Sequence, residues 1–140
     1  MPQPDVNYLA LLVATVIAFA LGALWYSNLM FAKPWLAAQE LTEAELKVRQ
    51  EGKSMPLMFG LTFLAWLVTG YVLAHMVDYT GATTWMDGMQ TAFWLWLGFV
   101  VTATLIHGLF EYRDVRLYAV NLGYHLVGLL IMGAILAAWA

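Results

Sequence analysis

The sequence predicts an all-α polytopic membrane protein: four transmembrane helices in an antiparallel bundle, with a short amphipathic helix in the first cytoplasmic loop. Three observations carry that reading. The 140 residues are 63% hydrophobic and only 11% charged, with a mean hydropathy of +0.74, whereas soluble domains carry roughly 25% charged residues. Four apolar runs, at about 7–31, 56–77, 85–110 and 117–139, are each long enough to cross a bilayer. All six Lys and Arg residues fall in the first and third connections of such a bundle. One domain over residues 1–140 accommodates the four spans.

The first run begins "MPQPDVNYLALLVATVIAFALGALW". Its flank holds Asp5 and no cation, and its apolar stretch is long, so it reads as a retained span instead of a cleaved signal. Ala10, Ala14, Ala18 and Gly22 recur every four residues and make one smooth ridge suited to close helix contact. The long connection that follows contains a helix at about 43–51. Thr42 and Glu45 form a capping box, and Leu41 and Leu46 occupy staple positions. Glu43–Lys47 and Glu45–Arg49 are i,i+4 pairs, and Gly52 can end the helix. Such a helix is expected to rest at the membrane surface, the alternative being a docking element.

The second span offers Gly60 and then Gly70 with Ala74, and the third offers Gly98 with Thr102. The fourth carries Gly123, Gly128 and Gly133, whose spacing of five drifts around the helix. Lys33, Lys47, Arg49 and Lys53 lie in the first connection and Arg113 and Arg116 in the third. The positive-inside rule makes loops 32–55 and 111–116 cytoplasmic and sends both termini outside. Trp25, Tyr26, Trp35, Trp85 and Trp139 sit near the expected interfaces. Four short spans bury few residues on all sides, which points to a homo-oligomer within the lipid bilayer.

Polar groups from three spans converge toward the cytoplasmic half. His107 precedes Glu111 by four residues, and Asn121 follows Arg116 by five, so the two are expected at similar depth, roughly 6–8 Å inside at 1.5 Å per residue. His125 lies one turn deeper on the face of Asn121, with Tyr124 beside it. Tyr26, Ser27 and Asn28 arrive from the first span. The candidate ligand-contacting set is therefore His125, Asn121, Tyr124, His107, Glu111, Tyr26 and Asn28. Two readings stay open: a small-molecule or proton site, and interhelical hydrogen bonds that fix register. His75, beside Asp78, reads as interfacial.

Other chemistries find little support. The net charge of −3 and the lack of a basic stripe argue against nucleic acid. There is no cysteine, so thiolate catalysis and thiolate metal sites are excluded. His107 and His125 are offset by about five residues, roughly 7 Å, which does not suit paired haem ligands. No HExxH pattern, phosphate loop or nucleophile elbow occurs. No cofactor or metal is expected. An enzyme with His107 and Glu111 as acid and base would lack a nucleophile.

"LGALWYSNLMFAKPW" at 21–35 together with "NLGYHLVGLLIMGAIL" at 121–136 resembles the small integral-membrane family catalogued as domain of unknown function 1761. The resemblance runs through nearly the whole chain. It implies four spans and a bacterial inner membrane, and it brings no established activity and no catalytic residue. Trp25, Tyr26, Ser27, Asn121, Tyr124 and His125 are the family-like positions. Family members often carry Pro where this chain has Asn28, which implies a less kinked end of the first span here. Function is then expected to be small transport or ligand binding through the polar cluster. The alternative is a structural or accessory subunit whose cluster only fixes helix packing.

Overall fold

Six helices build the computed structural model, which describes residues 4–139. They are α1 (Tyr8–Trp25), α2 (Ala32–Ala38), α3 (Glu43–Gln50), α4 (Met55–Tyr79), α5 (Trp85–Phe110) and α6 (Val115–Ala138). The sequence writes most of their starts as side-chain caps. Asn7, Thr42, Ser54 and Thr84 each accept a hydrogen bond from the backbone N–H three residues on, at 3.1–3.3 Å. Asp114 accepts from Arg116 N–H at 2.8 Å. Such caps satisfy amides that a helix leaves open, which matters most where no water can do so.

Helices α1, α4, α5 and α6 are long and apolar enough to cross a membrane, and they run alternately up and down. Four such helices imply contact with a lipid bilayer and place the chain in the multi-pass membrane class. One end of the bundle holds the N-terminal segment, the turn at 80–84 and the C-terminal segment, with Asn7 Nδ2 donating to the Trp139 carbonyl at 3.1 Å. The other end holds α2, α3 and the turn at 111–114.

Helix α6 is the hub. It packs on α1, α4 and α5 and also on α2, and 39% of its apolar window is buried against 6% for α5. Its three glycines explain how one helix serves three neighbours. Residues five apart point about 140° apart on a helix, so the drift seen in sequence becomes a division of labour. A Cβ at Gly123 would lie 3.0 Å from the Trp25 ring of α1, and one at Gly128 would lie 2.7 Å from the Trp66 ring of α4. At Gly133 the backbone of α6 meets the backbone of α5 at Gly88. The small-residue ridge of α1 is equally consistent: Ala10, Ala14 and Ala18 are fully buried, and Gly22 receives the Tyr124 phenol. Gly60 and Gly98 meet nothing within 4 Å and face outward.

The first span ends earlier than expected. The apolar run reaches residue 31, but α1 stops at Trp25 and the chain turns sharply over 26–31. Ser27 Oγ donates to the Leu24 carbonyl at 2.6 Å, and Phe31 N–H returns to the Trp25 carbonyl at 2.9 Å. The Phe31 ring then closes on Trp25, with centroids 4.5 Å apart. Local hydrogen bonds break the helix without proline at position 28. The reversal launches α2, a helix that no capping motif in the sequence announces. Ala32 and Ala38 of α2 are buried, and Arg116 Nη2 reaches the Ala37 carbonyl at 3.4 Å. Helix α3 has the expected cap and buries no residue.

Helix α5 contains a π-helical stretch, Trp96–Val101. The residues it turns inward fall four or eight apart: Gly88 and Ala92 are buried, Trp96 and Val100 pack on the core, and Gly108 meets the Tyr118 ring. Steps of four on an α-helix drift about 40° each, and the wider π turn takes back part of that drift. The Tyr118 hydroxyl is buried there with no hydrogen-bond partner among the described residues.

Three substitutions test this packing. Gly133→Val should destabilise the protein by about 1–3 kcal/mol in detergent unfolding, because the added bulk meets backbone. Gly60→Ala, in open space, should be neutral or slightly stabilising. Tyr118→Phe should lose no stability in the same assay, since it removes a buried hydroxyl that has no partner.

A polar turn of α6 held by every other span

The family-like stretch of α6 lies where the other three spans reach it. Trp25 Nε1 of α1 donates to the Val120 carbonyl at 2.9 Å, and Trp96 Nε1 of α5 donates to the Leu122 carbonyl at 3.0 Å. The Tyr26 hydroxyl, one residue beyond α1, donates to Asn121 Oδ1 at 2.6 Å. Tyr124 sends its own hydroxyl the other way, to the Ala18 carbonyl of α1 at 2.9 Å. Trp66 of α4 stacks on the His125 ring, with centroids 5.4 Å apart and an interplanar angle of 26°. Its ring also meets Tyr124 edge-on at 5.4 Å.

Helical periodicity explains the sharing. Asn121 and His125 lie on one face, and His125 Nδ1 sits 3.2 Å from the Asn121 carbonyl. Tyr124 lies about 100° away, which lets it fill the space above Gly22 and Ala18. Glycine at 22 is required there, because a Cβ would lie 2.6 Å from the Tyr124 oxygen. Four aromatic rings, Trp25, Tyr26, Trp66 and His125, surround Tyr124, which is itself buried.

Of the seven residues nominated from sequence, the structure brings four together: Tyr26, Asn121, Tyr124 and His125. It leaves three apart. Asn28 is exposed in the turn after α1, and His107 is exposed on α5. The depth argument matched His107 to Asn121 but said nothing about azimuth. His107 is one residue, about 100°, from Gly108, the position that faces Tyr118. Glu111 lies beyond the end of α5 and pairs with Arg113. Both line a polar cavity of about 520 Å³ between the ends of α2, α3 and α5. Beside it Arg116 hydrogen bonds hold the Asp114 carboxyl below the usual carboxylate range.

Sequence reading missed Trp66 and Trp96. The signal was available: each lies eleven residues into its helix, whereas Trp in membrane proteins concentrates at the interfaces. A mid-span indole needs a buried acceptor or a ring to stack on. Among the described residues no group of three or more His, Asp or Glu side chains could hold a metal ion.

The Tyr26–Asn121 bond is open to a double-mutant cycle. Tyr26→Phe and Asn121→Leu should show a coupling of about 0.6 kcal/mol, and at most about 1.7 kcal/mol, when unfolding is measured in micelles. Strict additivity would mean the two side chains do not stabilise each other.

No curated protein and no solved structure matches the chain. One family does, across residues 9–137, a stretch that takes in the α1 ridge, the turn at 26–31 and the whole polar turn of α6. With that coverage, the chain belongs to the family described as Protein of unknown function (DUF1761).

Proposed function

We propose that the chain is a structural or accessory subunit of a bacterial inner membrane, and that its polar cluster locks the helices together. The observation that carries this reading is that four of the cluster's donors are spent within the protein. Tyr26, Tyr124, Trp25 and Trp96 each spend their donor on another helix, and aromatic rings occupy the space between them. A transport path needs polar groups that can exchange partners with cargo or water, whereas these are committed to contacts between α6 and its neighbours. The orientation rests on the six cations: loops 32–55 and 111–116 lie in the cytoplasm and both termini outside. Self-association would use the outward face of α5, where Gly98 has no neighbour within 4 Å and allows close helix approach.

The second reading, a small-molecule or proton site, has one specific observation behind it. The His125 ring is half-buried, and only its Nδ1 has a hydrogen-bonding neighbour among the described residues. Its Nε2 is therefore open to a ligand.

His125→Leu separates the readings. On the structural reading the variant keeps the subunit count of the native protein and loses about 1–2 kcal/mol of stability, the ordinary scale for a lost buried contact. Native mass spectrometry from mild detergent gives the subunit count and any retained mass, and thermal unfolding gives the stability. A stoichiometric adduct on the native protein that disappears in His125→Ala would sink the structural reading in favour of the ligand site.

A further inference from the structure

The end of the bundle that carries both terminal segments has a cavity that the polar cluster does not explain. It lies beneath the turn joining α4 to α5 and holds about 450 Å³, within the range of small-ligand pockets. Thr80, Asp87, Gln90, Thr91 and Trp94 line it, with Met76 among its apolar neighbours.

Oxygen acceptors make up much of its polar lining. Thr91 Oγ1 donates to the Asp87 carbonyl at 3.0 Å, and Thr80 Oγ1 donates to the Met76 carbonyl at 2.9 Å. The two hydroxyl oxygens lie 3.3 Å apart. Each hydroxyl has a helix carbonyl within donating distance, and both oxygens keep accepting lone pairs. The Asp87 carboxylate has no ion pair or hydrogen bond among the described residues, where the ion pairs are Arg113–Glu111 and Arg116–Asp114 at the opposite end. Trp94 is 65% exposed at this cavity, so an indole face is available.

The charge of the whole end agrees. The sequence has no Lys or Arg between 54 and 112, before 33, or after 116. Six of the nine carboxylates share the other end with all six cations, so the net −3 comes from Asp5, Asp78 and Asp87. A carboxylate, neutral acceptors and an aromatic face match a donor that is cationic and carries carbon. A hard divalent ion fits poorly, since it takes six or more oxygens and the lining has one carboxylate.

We propose that this cavity binds an organic ammonium group. Asp87 supplies the counter-charge, Trp94 the aromatic face, and Thr80, Thr91 and Gln90 the oxygen acceptors. The same chemistry comes from two sources: the ethanolamine headgroup of a lipid, or a soluble alkylammonium.

The test uses the full chain in nanodiscs and in detergent. Ethanolammonium and tetramethylammonium chloride are titrated against sodium chloride at matched ionic strength, with thermal unfolding as the readout. In parallel, native mass spectrometry follows retention of phosphatidylethanolamine against phosphatidylglycerol. Ammonium-specific stabilisation or selective ethanolamine-lipid retention is expected, weakened about tenfold or more in Asp87→Asn and about two- to fivefold in Trp94→Ala. Retention of the lipid with no effect of soluble ammonium assigns the headgroup, and the converse assigns a soluble amine. Asp78→Asn keeps the charge change at this end but lies outside the cavity lining, so it should retain binding. Equal loss in Asp78→Asn and Asp87→Asn would overturn the site as a bulk charge effect. No preference for ammonium over sodium and none for the ethanolamine lipid would overturn it outright. Should Asp87→Asn unfold, Gln90→Leu carries the same prediction with a smaller loss.

Discussion

Hydrocarbon offers no hydrogen bonds, so every polar group placed in it must find a partner inside the protein. The rest of this structure is arranged around how α6 meets that demand. Between Val120 and His125 it presents two carbonyls, an amide, a phenol and an imidazole, and α1, α4 and α5 each deliver an aromatic side chain to that one stretch. The carbonyls of Val120 and Leu122 have a second lone pair free beyond their helical bonds, which is what the two indoles use. Aromatic donors suit the task because they carry an apolar body to the hydrogen bond.

Glycine and tryptophan form one device here. Each large ring needs a recess, and the recess is a glycine on the facing helix: Gly123 under Trp25, Gly128 under Trp66, Gly22 under Tyr124. The association of membrane helices depends on packing because lipid gives little hydrophobic drive. Alternating the largest side chains with the absence of one gives that packing direction and register. At Gly88 and Gly133 the same logic runs without rings, and the backbones of α5 and α6 touch. That contact anchors α5 near its start, the π stretch then resets its facing, and Gly108 meets Tyr118 close to its far end.

The fold class was legible because composition, span length and one-sided cations each act over many residues. Capping was equally legible at Thr42, since a side-chain oxygen and an amide three residues away need no tertiary context. The drift of the α6 glycines was visible as a period, and its meaning followed only once three neighbours were placed. What could not be read were the local decisions. The break after Trp25 depends on Ser27 and Phe31 bonding backward, and no proline or glycine marks it. His107 lies apart from the cluster because depth is linear in residue number while facing is not, and the π stretch changes facing without leaving a sequence mark.

The two ends of the bundle reflect different electrostatic solutions. At the loop end, cations and carboxylates balance and pair, as Arg113 does with Glu111 and Arg116 with Asp114. Orientation responds to Lys and Arg themselves and little to carboxylates, so the chain keeps a strong topological signal on a neutral face. That freedom leaves the opposite end able to carry Asp5, Asp78 and Asp87 without cations of its own. An uncompensated carboxylate near a bilayer surface does work only if something positive reaches it. Asp87 differs from the other two in lining a cavity that also holds an indole and two acceptor hydroxyls. The same rule that keeps cations away from this end is thus what makes a cationic ligand the chemistry its cavity can select.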